Sequence, residues 1–158
     1  PCAFIYLEKL EDLDLSFNNI KNLDANLFNE LVNLKKLNLL GNSIEALYSN
    51  QFFYLKNLEI LDLTHNKISS IHRDAFRGLE NLKLLDLCHN MLIFDEHDRP
   101  FCHLVNLQTL RLSQNPFKSL PNVLFNGLEN LIELELDWTN IERIEQYDFL
   151  CLQNLEFI

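Results

Sequence analysis

The sequence predicts an α/β repeat solenoid with a parallel sheet on its concave side, a mostly irregular convex side, six full repeats and a partial repeat at each end. Three observations carry this. A frame Leu-x-x-Leu-x-Leu returns with its first leucine at Leu10, Leu34, Leu58, Leu82, Leu107 and Leu131, at spacings of 24, 24, 24, 25 and 24 residues. An asparagine follows five of the six frames at one fixed phase, and a phenylalanine recurs at one phase of the other half-repeat. A unit this short cannot bury its own apolar face, so it stacks on its neighbours and the repeats share one core.

The strands come first in each repeat. The centres Leu13/Leu15, Leu37/Leu39, Leu61/Leu63, Leu85/Leu87, Leu110/Leu112 and Leu134/Leu136 alternate over a few residues, the pattern of a short strand with one buried face. Six such strands are expected to stack into one parallel sheet. Next comes the inward turn, where backbone groups lose water and need other partners. Asn18, Asn42, Asn66, Asn90 and Asn115 stand there, and a side-chain amide supplies both donors and an acceptor. The sixth repeat has Thr139 instead, which predicts a looser turn beside Trp138.

The convex half carries apolar series such as Ile44/Leu47/Phe52/Leu55 and Ile68/Ile71/Phe76/Leu79. Phe28, Phe52, Phe76, Phe101, Phe125 and Phe149 are expected to stack as a spine inside it. Apolar positions two to four apart, with no long helical run, predict irregular turns and single helical turns. The fourth repeat holds the extra residue, between Leu92 and Phe101. It reads Ile93-Phe94-Asp95-Glu96-His97-Asp98-Arg99-Pro100, with Phe94 in the usual place of a convex Leu or Ile and a charged tip expected to bulge.

With the frame, the Asn series, the Phe spine and the recurring Asn-Leu step (Asn33-Leu34, Asn57-Leu58, Asn81-Leu82, Asn106-Leu107, Asn130-Leu131, Asn154-Leu155), the chain resembles leucine-rich-repeat proteins over essentially its whole length. The repeat length and the convex Phe resemble the extracellular subclass of Toll and Toll-like receptor ectodomains, Slit, lamprey variable lymphocyte receptors and insect immune repeat proteins. That resemblance implies a non-catalytic curved surface that binds a protein or other macromolecule in innate immunity or adhesion. By the same resemblance, such irregular loops often contact partners or a second copy in a dimer; simple tolerance of a surface insertion is the favoured reading of the fourth repeat. A structural scaffold that holds other subunits is the alternative reading.

Residues 1–158 are read as one solenoid domain. Phe4 and Leu7 fall in phase with Phe28 and Leu31, and Asn154-Leu155 opens a seventh frame, so the chain reads as an internal segment of a longer protein without either cap. No stretch is apolar enough to enter a membrane. Cys102 and Cys151 are expected on the convex side two repeats apart, roughly 10 Å at the usual strand spacing and beyond disulfide reach. Cys88 is expected on the concave face, and Cys2 at the first edge. The cysteines thus leave the compartment undecided. No Asn-x-Ser/Thr sequon occurs, which leaves an intracellular location open, while the subclass resemblance points outside the cell.

The concave column Asp14, Asn38, Asp62, Asp86, Arg111, Glu135 is mostly acidic. Stacked like charges repel, so the column reads either as a solvated face or as a surface for a basic partner. From Glu129 onward eight carboxylates face one cation, Arg143, and that segment holds seven of the ten net negative charges. Trp138, the single tryptophan, adjoins it. A ligand-binding patch is therefore placed at Glu133, Glu135, Asp137 and Trp138, with Arg111 beside it; packing of Trp138 over the Thr139 gap is the competing expectation. The net charge of −10 argues against nucleic acid as ligand. His65 and His89 share one phase in adjacent repeats and form a secondary site that could titrate near neutral pH. No cofactor, metal or catalytic group is expected, because ladder neighbours point alongside one another instead of converging.

Overall fold

The computed structural model describes residues 3–158. Eight short strands occur: β1 Asp12–Asp14, β2 Lys36–Asn38, β3 Ala46–Leu47, β4 Ile60–Asp62, β5 Ser70–Ile71, β6 Leu84–Asp86, β7 Thr109–Arg111 and β8 Glu133–Glu135. Six of them form one parallel sheet in the order β1-β2-β4-β6-β7-β8. The register keeps repeat phase throughout, with Leu13, Leu37, Leu61, Leu85, Leu110 and Leu134 side by side. The extra residue of the fourth repeat leaves this register intact because it lies wholly on the convex side. A parallel bridge from Glu133 to Phe157 begins a seventh rung, in phase with the Asn154-Leu155 step.

The core lies between the sheet and the convex turns. The frame leucines from Leu34 to Leu134 are fully buried, as are Phe28, Phe52, Phe76, Phe101 and Phe125. The rings of Phe4, Phe28, Phe52, Phe76 and Phe101 stack in series at 6.1, 6.2, 6.2 and 6.3 Å. Phe125 and Phe149 continue at 6.1 Å. Between the two series Phe94 packs on both Phe101 and Phe117, at 6.2 and 5.3 Å, so the irregular repeat fills its share of the core with this ring. Burial of each such side chain contributes about 1.5–3 kcal/mol.

The convex side departs from expectation in one respect. The single helical turns are absent among the described residues; turns predominate, and β3 and β5 pair there as a small second sheet. β3 and β5 stand at one phase of two consecutive repeats of equal length, which sets their convex backbones in bonding register. Among the described residues no helix is long and apolar enough to cross a membrane. The charged tip of the fourth repeat is exposed and held by Asp95 N–H donating to Asp98 Oδ2 at 2.7 Å. Cys88, Cys102 and Cys151 are free thiols, and Cys2 lies outside the described residues.

Two asparagine ladders tie the turns together. Asn66 donates to Leu39 O and Leu63 O, both at 3.0 Å, and its Oδ1 accepts from Ile44 N–H at 3.0 Å. Asn42, Asn90 and Asn115 repeat this pattern and are buried. Asn18 differs: it is exposed and reaches only Leu15 O and Ser16 O of its own turn. The second ladder is the Asn-Leu step, in which Asn33, Asn57, Asn81, Asn106, Asn130 and Asn154 each donate to a carbonyl of the preceding repeat at 2.7–2.8 Å.

Candidate functional site: the concave rim

Where each concave strand ends, the chain must turn sharply before its buried asparagine. Phe17, Gly41, His65, His89, Gln114 and Trp138 occupy this one position, all with φ between +52° and +69°. L-residues other than glycine pay roughly 1–2 kcal/mol for that left-handed conformation. The buried asparagine that follows four of these six residues bonds across the turns and offsets that cost. Only Gly41 adopts the conformation freely, and it also admits a neighbour: a Cβ there would lie 2.8 Å from the Phe17 ring. Sequence reading overlooked this column, since only one glycine marks it.

The acidic column has a structural use that its charge alone conceals. Asp14, Asn38, Asp62 and Asp86 each accept, through Oδ1, the backbone N–H two residues on, at 2.8, 3.0, 2.9 and 3.0 Å. Short oxygen-bearing side chains cap a turn in this way. The side-chain and backbone hydrogen bonds of Ser16 accordingly hold the Asp14 carboxyl below its ordinary pKa. Arg111, the one cation in the column, sits between two carboxylates, 3.6 Å from Asp86 and 2.9 Å from Glu135. Its Nε–H is not directed along the shorter line, so that contact is an ion pair without a hydrogen bond. Burial works against the guanidinium charge, but Glu135 and Asp86 outweigh it and raise its pKa.

The residues of the expected patch thus divide. Glu133 accepts from Thr109 Oγ1 at 3.2 Å, Glu135 pairs with Arg111, and both are half-buried. Asp137 is fixed through its backbone N–H, which donates to Ser113 Oγ at 3.1 Å, while its carboxylate has no partner among the described residues. Trp138 is 85 % exposed and does not pack over Thr139. Thr139 donates to Leu136 O at 3.0 Å and makes none of the bonds to Leu112 O or Phe117 N–H that an asparagine makes in the other turns. The open chemistry of this end is a free carboxylate beside a free indole.

His65 and His89 stack face to face, with centroids 3.8 Å apart and planes inclined by 22°. Burial first, and then the charge of His65, lowers the pKa of His89, and Asp86 acts the other way. Stacked rings do not converge on one point, and among the described residues no three His, Cys, Asp or Glu side chains are grouped to hold a metal ion. Cys88, expected on the concave surface, is buried at the strand end. Burial and then Asp86 push its thiol up to about 12, which keeps it protonated and poorly nucleophilic at neutral pH. A cleft of about 730 Å³ lies on the flank lined by the second asparagine ladder and runs into the acidic end, where Asn130, Ile132, Asn154 and Glu156 line it.

Residues 33–92 and 105–158 match a family model described as "Leucine rich repeat", and residues 9–31 match a second with the same description. A solved chain from the "TLR13-ssRNA13 complex" is 29% identical, with a TM-score of 0.82. The match covers 97% of this chain and 26% of that one. The leucine-rich-repeat protein LIC12759 of Leptospira interrogans is 32% identical, with a TM-score of 0.79, over 96% of this chain and 37% of its own. This chain therefore spans between a quarter and two fifths of those structures. No curated protein matches it.

Proposed function

The chain belongs to the leucine-rich-repeat family, and we propose that it is a non-catalytic binding module, a segment of an extracellular recognition protein in innate immunity or adhesion. The family's fold is a scaffold for macromolecular partners, and the TLR13 likeness supports the receptor assignment. The partner contacts the concave rim of the sixth turn through Asp137 and Trp138, with Glu133, Glu135 and Arg111 as a fixed, charged support. The observation that carries this reading is the 85 % exposure of Trp138 on a strained backbone directly after an unpaired carboxylate. Large aromatics with a polar rim are favoured anchors, and the surrounding negative charge favours a basic protein.

That solved TLR13 chain is complexed with ssRNA13, so the fold does not itself disfavour RNA. Disfavour of nucleic acid in this chain rests on its net charge of −10 alone. Affinity capture from native fluid tests the reading, using the chain beside an Asp137→Lys, Trp138→Ala variant, with an RNA arm. Both substitutions spare the Arg111 pairs. Loss of a captured protein in the variant supports the site; equal capture by both chains, or RNA as the retained ligand, refutes it.

A further inference from the structure

On a chain this acidic, one convex cleft is lined by an arginine, with a lysine at its edge. Its lining is Ala25, Asn26, Asn50, Phe53, Tyr54 and Arg77, with a volume of about 290 Å³. The Arg77 guanidinium lies 5.7 Å from the centroid of the Phe53 ring and the Lys56 ammonium 6.0 Å from it, within cation–π range. Tyr54 meets the same ring edge-on at 5.4 Å. Neither Lys56 nor Arg77 has a carboxylate within 4.0 Å among the described residues, although Glu80 follows Lys56 one repeat on. The nearby Arg73 is different, being 4.0 Å from Asp74.

The arrangement is held from behind. Gly78 has φ +94°, and a Cβ on it would stand 2.4 Å from the Phe53 carbonyl oxygen, so only glycine lets these two turns approach. That approach fixes Arg77, the residue before it, over the ring of the preceding repeat. Asn50, also left-handed at φ +61°, donates through Nδ2 to Ser49 Oγ at 2.9 Å and accepts from Phe53 N–H at its backbone carbonyl at 3.2 Å, while its side-chain Oδ1 is buried without a hydrogen-bond partner.

We propose that this convex cleft is a second interaction surface, one that receives an acidic segment of a protein partner. Two cations held against an aromatic ring without a neutralising carboxylate suit a carboxylate side chain, and Arg77 offers it a paired donor fork. The volume admits one or two side chains and no larger body, since a water occupies about 30 Å³. This surface is independent of the sixth-turn site and lies on the opposite side of the solenoid.

A hexaglutamate peptide is the probe, titrated by NMR at low and at physiological salt. Saturable shifts confined to residues 25–26, 50–56 and 73–77 are expected. Affinity should fall about tenfold in a Lys56→Gln, Arg77→Gln variant and stay unchanged in Asp137→Lys, Trp138→Ala. A Phe53→Leu variant keeps the core but removes the ring, and should weaken binding less than the double charge change. Absence of saturable shifts in the original chain, shifts spread over all surface cations, or equal affinity in the charge variant overturns the proposal.

Discussion

The middle turns and the sixth turn are made from the same frame, yet they hold together differently. From Asn42 to Asn115 each buried amide joins two turns, and the rings from Phe28 to Phe101 stack without interruption. In the sixth turn Thr139 bonds only to its own turn, Phe149 is half-buried, and Trp138 is turned outward. The carboxylate of Asp148 is a further mark of this difference. In the second repeat Gln51 takes the same phase and joins Tyr48 N–H to Leu23 O at 2.7 and 2.8 Å. Asp148 accepts from Glu145 N–H at 2.7 Å, but its other oxygen is buried without a donor. The chain relaxes its internal bonding where its surface is most acidic and most aromatic. The middle turns are thus cross-bonded by their buried amides, and the turn that carries the proposed contact lacks those bonds.

The largest test of this contrast removes a ring from each region. Phe76→Ala should destabilise by about 3–5 kcal/mol. Phe149→Ala, from a half-buried site, should cost less, about 1–3 kcal/mol. Chemical denaturation of both variants measures the difference, and equal losses would erase it. Next in size are the turn residues. Asn66→Ala strands Ile44 N–H, at about 1–3 kcal/mol for a buried group left without water, and leaves Leu39 O and Leu63 O with one amide donor each, from Asn42 and Asn90. Thr139→Ala forfeits a single bond, about 0.5–1.5 kcal/mol.

How far this contrast is legible in the sequence follows from particular residues. Periodicity exposes the leucine face and the Phe spine, since both repeat at fixed phase and burial follows from apolarity. Thr139 announces its gap by breaking a column of identical residues. The turn caps at Asp14, Asn38, Asp62 and Asp86 stay hidden, because a carboxylate that caps a turn looks the same in sequence as one that awaits a partner. The left-handed column is hidden for another reason. Five of its six residues are bulky, and behind three of them, His65, His89 and Gln114, a buried asparagine overrules the preference for glycine. The recurrence of Asn before Leu was visible throughout, but its bonds to the preceding repeat depend on a lateral offset that no spacing reveals.

Smaller effects sharpen the comparison by repairing the sixth turn. Asp148→Asn keeps the acceptor for Glu145 N–H, removes the buried carboxylate oxygen that no donor meets, and should stabilise by about 0.5–1.5 kcal/mol, read as a higher thermal midpoint. The smallest effect is the pH response of His89. His89 has a folded-state pKa below its ordinary 6.5, so the unfolded chain takes up this proton first, and stability falls as pH drops below that value. Carboxylates with lowered pKa, such as Asp14 and Asp74, act in a separate window: their stabilisation is complete at neutral pH and is lost as pH falls through the acid range. A His89→Gln variant should flatten the stability profile around pH 6 and leave the acid limb unchanged; a parallel shift of both limbs would refute that assignment.

Hydrogen exchange at single amides examines the central contrast most directly. The amides of Ile44, Ile68 and Leu92, each donating to a ladder asparagine, should exchange slowly, while Phe117 N–H, which faces Thr139, should exchange much faster. Thr139→Asn should bring Phe117 into line with the others. Equal protection of all four amides in the original chain, or a Phe117 rate unmoved by that substitution, would contradict the account of a firm middle and a relaxed, contact-bearing sixth turn.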